Sequence, residues 1–264
     1  MLAWGAAYGA GAISLRITAT DEEGHEPDHD YLIENNLFRT NALTIGVEAK
    51  ACVMESFPDR NNIFRNNRFE SVGTIISFGG ENYGANGICF SGDTLVRLTP
   101  TSDPHTIVVG WRNYFDAQDD TLRDLVYEGG ALESQIEFGA SNSDFRVQRT
   151  IQMKVYGNND LPVQGANVNV VNSYSQNVLS GITNAHGLVE GIVSYRWEQD
   201  PGSDSLGYNN FTVTVSKGTD SDQATFTVAS GSQMPSLILT NTPGDDPGDL
   251  DLIAPGKIND VAEN

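Results

Sequence analysis

Ile63-Phe64-Arg65-Asn66-Asn67-Arg68-Phe69 is one copy of a seven-residue pattern that occurs four times in the first half of the chain. In every copy a large apolar residue is followed five positions later by a second one. The four pairs are Phe38 and Leu43, Phe64 and Phe69, Phe90 and Leu95, and Leu122 and Tyr127. A repeat of 26 to 32 residues is one supersecondary unit, which buries its apolar side chains only by stacking on its neighbours.

The repeat predicts two interior columns of side chains. We expect the first members of the pairs to form one column and the second members to form another. Three copies place a polar residue three positions after the first anchor, at Asn41, Asn67 and Asp93. Asn tolerates the left-handed backbone of a sharp corner, and its amide can hydrogen-bond to the Asn of the next repeat. Short apolar runs between the copies predict further strands, so we expect an all-β protein.

Composition excludes several classes of function. The chain has 264 residues, of which 39 % are hydrophobic, and a formal net charge of −20. No basic patch exists to neutralise phosphates, so we expect no nucleic-acid partner. No run of 18 apolar residues occurs, so we expect no insertion into a membrane. The two cysteines, Cys52 and Cys89, do not have the spacing of a zinc site, and we expect buried free thiols.

Residues 11 to about 140 resemble the right-handed parallel β-helix repeat proteins. The resemblance is carried by Asn35-Asn36-Leu37-Phe38 and Asn66-Asn67-Arg68-Phe69. It implies a right-handed parallel β-helix, or solenoid, over residues 1–147. Members of that fold include pectate lyase-like enzymes, adhesins and accessory proteins, so the resemblance does not decide the activity. The opening residues 1–9 look like the interior of a longer polypeptide, truncated at its N-terminus.

A second module follows over residues 148–232. Short alternating strands separated by turns predict a β-sandwich. The module resembles the carboxypeptidase-regulatory-like, or transthyretin-like, Ig-like sandwich domains through Pro162-Val163-Gln164-Gly165-Ala166 and Thr183-Asn184-Ala185-His186-Gly187. The resemblance implies a spacer or interaction module and supplies no catalytic residues. Because a sandwich closes its own core, we expect residues 148–232 to fold alone.

Residues 233–264 predict an acidic flexible linker, because Pro, Gly and Asp dominate residues 242–249. Residues 254–261 are similar to the opening strand of a fibronectin type III domain. We therefore expect further domains of the same polypeptide on both sides.

Two loops hold candidate polar sites. The first contains Asp21, His25, Asp28 and His29, which could bind a divalent cation such as Ca2+ but also fit a solvated acidic loop. The second contains Asp116, Asp119 and Asp120 beside Arg112. Carboxylate pairs serve glycoside hydrolysis, and in β-helix lyases they hold Ca2+ while an Arg abstracts the proton. Loop aspartates are also ordinary turn formers, and no other cofactor is expected.

Three arginines follow the first anchor of their repeat, and the alignment predicts that Arg39, Arg65 and Arg123 form a row. A row of guanidiniums could bind an acidic polysaccharide, or it could be neutralised by neighbours such as Glu70 and Glu128. Tyr83, Trp111 and Tyr114 lie in or beside the loops and could stack on sugars. The sequence therefore favours a non-catalytic, secreted or cell-surface protein whose flank binds a glycan or another partner. The alternative is a polysaccharide lyase or glycoside hydrolase of the pectate-lyase-like type.

Overall fold

The computed structural model describes residues 31–40, 62–79, 85–98, 105–110, 116–199, 208–228 and 235–245, together with the backbone of 11–17 and 50–56. Nearly all regular structure in these residues is β-strand, and the single helical element among them is a 3-10 turn, Glu133–Gln135. The prediction of an all-β protein is confirmed.

The strands are numbered in chain order. They are β1 Gly11–Ile17, β2 Leu32–Glu34, β3 Leu37–Thr40, β4 Lys50–Ser56, β5 Ile63–Arg65, β6 Arg68–Ser71, β7 Ile76–Phe78, β8 Ala85–Asn86, β9 Cys89–Ser91, β10 Thr94–Arg97, β11 Ile107–Val109, β12 Ala117–Gln118, β13 Asp120–Arg123, β14 Val126–Glu128, β15 Ile136–Phe138, β16 Asp144–Gly157, β17 Asn167–Val171, β18 Asn177–Ile182, β19 Leu188–Gln199, β20 Phe211–Lys217, β21 Asp220–Phe226 and β22 Ser236–Leu239.

The chain divides into two compact units. Unit 1 comprises residues 1–150 and 194–208, and unit 2 comprises residues 151–193 and 209–264. The chain therefore crosses between the units at three points, and strands β16 and β19 contribute residues to both. The sequence predicted one boundary, at 147/148, and the first of these three crossings lies at 150/151.

Unit 1 is built on parallel sheets. Sheet A has the order β1-β4-β7-β11-β15, and sheet C has the order β14-β10-β6-β3. Sheet B contains β2, β5, β9, β13 and the start of β16 as successive parallel neighbours. Each sheet thus receives one strand from each successive repeat, as expected for repeats that bury their apolar faces against one another.

Two interior columns run across these sheets. In sheet B, Phe64, Phe90 and Leu122 are in register, and Phe64 stacks on Phe90 with ring centroids 4.4 Å apart. In sheet C, Phe69, Leu95 and Tyr127 are in register. Phe64, Phe90 and Phe69 are fully buried. For the last three repeats, the predicted columns are confirmed.

The first repeat was predicted one strand out of register. Ile33, and not Phe38, pairs with Phe64, while Phe38 pairs with Phe69 and stacks on it at 5.1 Å. Ile33 and Phe38 have the same five-residue spacing as the other pairs. The sequence alignment instead placed Phe38 first in its pair, because a Phe occupies that position in the next two repeats. Leu43 lies outside the described residues. The observed spacings along the first column are therefore 31, 26, 32 and 25 residues.

A ladder of polar side chains forms the corner between sheets B and C. The Asn36 N–H donates to Asn67 Oδ1 at 3.0 Å, and the Asn67 side-chain amide donates to Asp93 Oδ1 at 3.0 Å. The residues before them, Asn35, Asn66 and Gly92, have φ values of 59°, 55° and 67°. The expected hydrogen bond between polar residues of successive repeats forms between Asn67 and Asp93, but the left-handed conformation expected at these residues lies one position earlier. Asn36 takes the place expected for Asn41, which lies outside the described residues.

Two further buried polar side chains lie at the N-terminal ends of sheet B strands. Asn62 directly precedes β5, and Asp120 is the first residue of β13. Asn62 Oδ1 accepts a hydrogen bond from the Tyr31 N–H at 3.1 Å, and Asp120 Oδ1 accepts one from the Ile88 N–H at 2.9 Å. In each case a buried side-chain oxygen accepts a hydrogen bond from a backbone N–H of the preceding repeat, and the two residues lie two repeats apart. Asn62 Nδ2 and Asp120 Oδ2 have no hydrogen-bond partner among the described residues.

The Asn–Asp ladder and this pair of buried side chains predict effects of different size for two Asp→Asn changes. Burial raises the pKa of Asp93 to about 6, against hydrogen bonds from Asn67 and Ser91. Burial also raises the pKa of Asp120 well above its ordinary value, and Asp144 and Asp119 add to the rise. The folded state thus holds more protons than the unfolded state, so these groups lower stability as the pH rises from about 4.

Asp120→Asn should increase the free energy of unfolding at pH 8 by about 1–3 kcal/mol and change it little at pH 4. The amide keeps the acceptor for Ile88 and cannot ionise, as Asn62 already demonstrates. Asp93→Asn should increase the free energy of unfolding at pH 8 by less than Asp120→Asn does, because its amide nitrogen would face the Ser91 N–H that now donates to Asp93 Oδ2 at 2.9 Å. That lost hydrogen bond offsets the gain from removing an ionisable group. Urea unfolding at both pH values measures the two variants, and a gain for Asp93→Asn equal to or larger than that for Asp120→Asn would contradict the prediction.

Unit 2 contains an antiparallel sheet, sheet D, with the order β18-β17-β20-β21. Its inward side chains are buried and apolar, among them Val168, Val170 and Val213. Strand β22 pairs in parallel with Lys154–Gly157 of β16 and buries Leu237 and Leu239 completely. The sequence assigned this segment to the linker after residue 232, so strand β22 was not predicted.

The segment that returns to unit 1 covers buried groups there. Tyr195 is 5 % exposed, and its hydroxyl donates to Glu133 Oε2 at 2.6 Å. The Arg196 guanidinium pairs with Glu133 and Glu198 and lies 5.4 Å from the centre of the Phe145 ring. This contact set was also not predicted from the sequence.

Candidate binding face

The outward side chains of sheet B form an accessible surface, which we call the flank face. It consists of two columns in register over five strands. The columns are Leu32, Ile63, Cys89, Thr121 and Arg146, and Glu34, Arg65, Ser91, Arg123 and Gln148. All ten positions are half-buried or exposed. Alternation along each strand places them opposite the buried interior column.

The flank face changes character along its length. At the N-terminal end, Leu32 is 52 % exposed and Ile63 is 39 % exposed, next to the ion pair of Arg65 with Glu34. Towards β16 the side chains are hydroxyls, an amide and guanidiniums. Gln148 connects this end to the returning segment, since its amide donates to Ser194 Oγ at 3.1 Å.

Arg123 differs from the other arginines of the flank face in its partner. Its Nε donates to the neutral Gln148 Oε1 at 3.0 Å. By contrast, Arg65 pairs with Glu34, and Arg146 pairs with Asp119 at 3.0 Å. Among the described residues, Arg123 is therefore the one arginine of the flank face without a carboxylate partner. Its guanidinium can accept an external carboxylate in a bidentate arrangement.

The thiol of Cys89 lies beside Arg123 on this face. Burial raises the pKa of Cys89, which outweighs the lowering effect of the Arg123 charge. A thiol with a raised pKa is a poor nucleophile at neutral pH. Cys89 is free, as predicted, but it is half-buried on the flank face and does not lie in the core, where it was expected. Cys52 lies in β4, where only the backbone is described.

The predicted row of three arginines does not form. Arg65 and Arg123 share a column with Ser91 between them, but Arg39 lies in sheet C opposite Glu70. This error follows from the one-strand shift of the first repeat. Arg39 pairs with Glu70 at 2.6 Å, and Arg68 pairs with Glu70 at 2.6 Å and with Glu128 at 2.8 Å. On sheet C the arginines are therefore neutralised by Glu70 and Glu128, as the alternative interpretation of the sequence expected.

The predicted acidic cluster is divided between interior and surface. Asp120 is fully buried and bonded to the Ile88 N–H, whereas the Asp119 side chain is 72 % exposed and pairs with Arg146. Asp116 is half-buried, and its backbone carbonyl accepts from the Ala85 N–H. Asp119 and Asp120 thus have structural partners and do not converge on a common site. Arg112 lies outside the described residues.

Several other predicted site residues cannot be placed. Tyr83, Trp111 and Tyr114, and the metal candidates Asp21, His25, Asp28 and His29, all lie outside the described residues. Within the described part of the chain, no group of three His, Cys, Asp or Glu side chains is arranged to hold a metal ion. No helix in that part has the length and apolar character needed to cross a membrane.

Of the ten residues of the flank face, the sequence indicated only Arg65 and Arg123 as candidate binding residues. Ser91, Thr121, Arg146 and Gln148 carry no motif, and they become neighbours only through parallel pairing over 25 to 32 residues. The signal that could have identified them was the register of the last three repeats. No protein-family model, curated protein or solved structure matches this chain.

Proposed function

We propose that this chain is a non-catalytic, extracellular or cell-surface protein whose flank face binds a carboxylate-bearing glycan. In this proposal the parallel sheets of unit 1 wind as a right-handed β-helix, and unit 2 is a carboxypeptidase-regulatory-like sandwich that acts as a spacer. The order of strands in sheets A, B and C, with one strand from each repeat, supports the winding. A long, regular face suits an extended polymer, because its columns repeat along the stacking direction.

The observation that carries the proposal is Arg123. It is half-buried, lies among Ser91, Thr121 and Gln148, and has no carboxylate partner among the described residues. A guanidinium without a paired carboxylate is available to an external one. Asp119 and Asp120 have structural partners, so the face supports binding better than hydrolysis or elimination.

Arg123→Gln should weaken binding to polygalacturonate or alginate oligosaccharides by about ten-fold or more. That loss corresponds to about 1.4 kcal/mol, within the range of a hydrogen bond to a charged group. Isothermal titration calorimetry on the full chain measures it. Because the net charge repels anionic polymers at long range, binding should strengthen when salt is raised from 10 to 100 mM.

Arg65→Gln is the matched control. It removes the same charge from the same column, but the Arg65 guanidinium is already paired with Glu34. Its affinity should remain within about two-fold of the wild type, as expected when a surface ion pair contributes little. Equal losses in the two variants, or no uronate binding by the wild type, would refute the proposal.

A further inference from the structure

The outward surface of sheet D in unit 2 carries an unusual set of side chains. Pairing places twelve outward residues in three rows across its four strands. The rows are Ile182, Asn167, Ser216 and Ser221, then Ser180, Asn169, Thr214 and Gln223, then Asn177, Val171, Thr212 and Thr225. We call this surface the neutral face. Ten of its residues are Asn, Gln, Ser or Thr, and none of these twelve described positions is charged.

The absence of charge is not dictated by composition. Surfaces of soluble proteins are roughly 25–35 % charged, so a surface of this size would ordinarily carry about three or four charged residues. The outward surface of the other strands of unit 2 carries Lys154 and Glu190, and Glu190 Oε2 accepts from Gln152 at 2.7 Å. Charged residues interspersed over a protein surface also protect it against association. Retaining a neutral face forgoes that protection.

The polar groups of the neutral face are only partly used inside the protein. Asn177 donates to Asn169 Oδ1 at 2.7 Å, and the Ser180 hydroxyl donates to the same oxygen at 2.9 Å, so these three side chains hold one another in place. Six further side chains make no side-chain hydrogen bond to the described residues. They are Thr212, Thr214, Ser216, Ser221, Gln223 and Thr225. The face therefore leaves the donors and acceptors of these six side chains available to an outside molecule.

We propose that the neutral face is a second binding surface, whose ligand is a neutral polysaccharide. Anionic polymers find no cation on it and are repelled by the net charge of −20. Cationic ligands find no carboxylate among its twelve residues, and apolar ligands find only Val171 and Ile182. A chain of hydroxyl groups matches the remaining chemistry, since each hydroxyl both donates and accepts. The rows span about 14 Å across the four strands, at about 4.8 Å per strand, which suits several consecutive sugar units.

The test is retention of the full chain on insoluble cellulose, chitin, mannan and β-1,3-glucan, measured as the fraction bound. Thr214 is exposed at the centre of the middle row, so Thr214→Lys places a solvated ammonium there without disturbing the core. We expect the wild type to bind at least one of these polymers and Thr214→Lys to bind it at least ten-fold more weakly. Gln223→Lys, on the neighbouring strand, should give the same loss and covers the case in which Thr214→Lys fails to fold.

Gln152→Lys is the matched control, because it adds the same charge to the other outward surface of unit 2 and should retain binding. Arg123→Gln should also retain it, which separates this ligand from that of the flank face. The proposal is overturned if the wild type binds none of the four polymers, or if the lysine variants bind as well as the wild type. Concentration-dependent self-association that Thr214→Lys abolishes, seen by light scattering, would assign the face to a second copy of this chain instead.

Discussion

Phe64→Ala should lower the free energy of unfolding of unit 1 by about 3–5 kcal/mol, the cost of a large-to-small change in a close-packed core. Phe64 is fully buried and stacks on Phe90 at 4.4 Å with an interplanar angle of 4°. It also contacts the edge of Phe69 at 5.9 Å. The cavity would open between repeats, where the neighbouring strands are held in register by backbone hydrogen bonds and can collapse only in part.

Ile63→Ala is the matched control for this prediction. Ile63 lies on the same strand and is 39 % exposed on the flank face, so its truncation should cost less than about 1 kcal/mol. Urea unfolding followed by tyrosine and tryptophan fluorescence measures both variants. If the two changes cost the same, the interior column is not the main support of unit 1.

The repeat predicted the interior well because its signal is local. A five-residue spacing between two buried side chains survives in every repeat, so Phe64, Phe90 and Leu122 could be aligned without knowing the loops. The first repeat failed because Ile33 and Phe38 satisfy the spacing as well as Phe38 and Leu43 do. The same shift misplaced Arg39, which was expected beside Arg65 in sheet B but lies in sheet C.

Features that depend on distant partners were not predictable in this way. Glu34 neutralises Arg65 from 31 residues away, and Gln148 accepts from Arg123 across 25 residues. Neither partner carries a motif, so the difference between a paired and an unpaired arginine emerges only from the register. The return of Ser194 to Gln199 into unit 1 and the pairing of β22 with β16 also lack any periodic signal, because each joins segments that are far apart in the sequence.

Removal of residues 233–245 should leave the second module largely unfolded. The sequence led us to expect that residues 148–232 fold alone, but that piece lacks strand β22. Leu237 and Leu239 are fully buried, and burial of each contributes about 1.5–3 kcal/mol. Together they amount to about 3–6 kcal/mol, a large part of the roughly 5–15 kcal/mol that stabilises an ordinary domain.

Polar contacts made by the same segment increase the expected loss. Asp220 Oδ2 accepts from the Asn241 N–H at 2.8 Å and from the Thr242 hydroxyl at 3.0 Å, and the Gly157 Cα lies close to the backbone of residues 242–244. Without these residues, the buried Asp220 carboxylate would lose three of its donors, including the Asn241 side-chain amide. The C-terminal end of β16 at Gly157 would also lose its backbone contacts with residues 242–244.

The comparison to make is between residues 148–232 and residues 148–245, which differ only in this segment. Both pieces contain residues 194–208, so the loss of their unit 1 neighbours affects them equally. We expect the longer piece to show a cooperative urea transition and dispersed amide resonances, and the shorter piece to show neither. A shorter piece as stable as the longer one would mean that β22 is peripheral and that sheet D, with Phe211 stacked on Phe226 at 5.3 Å, holds the module together without it.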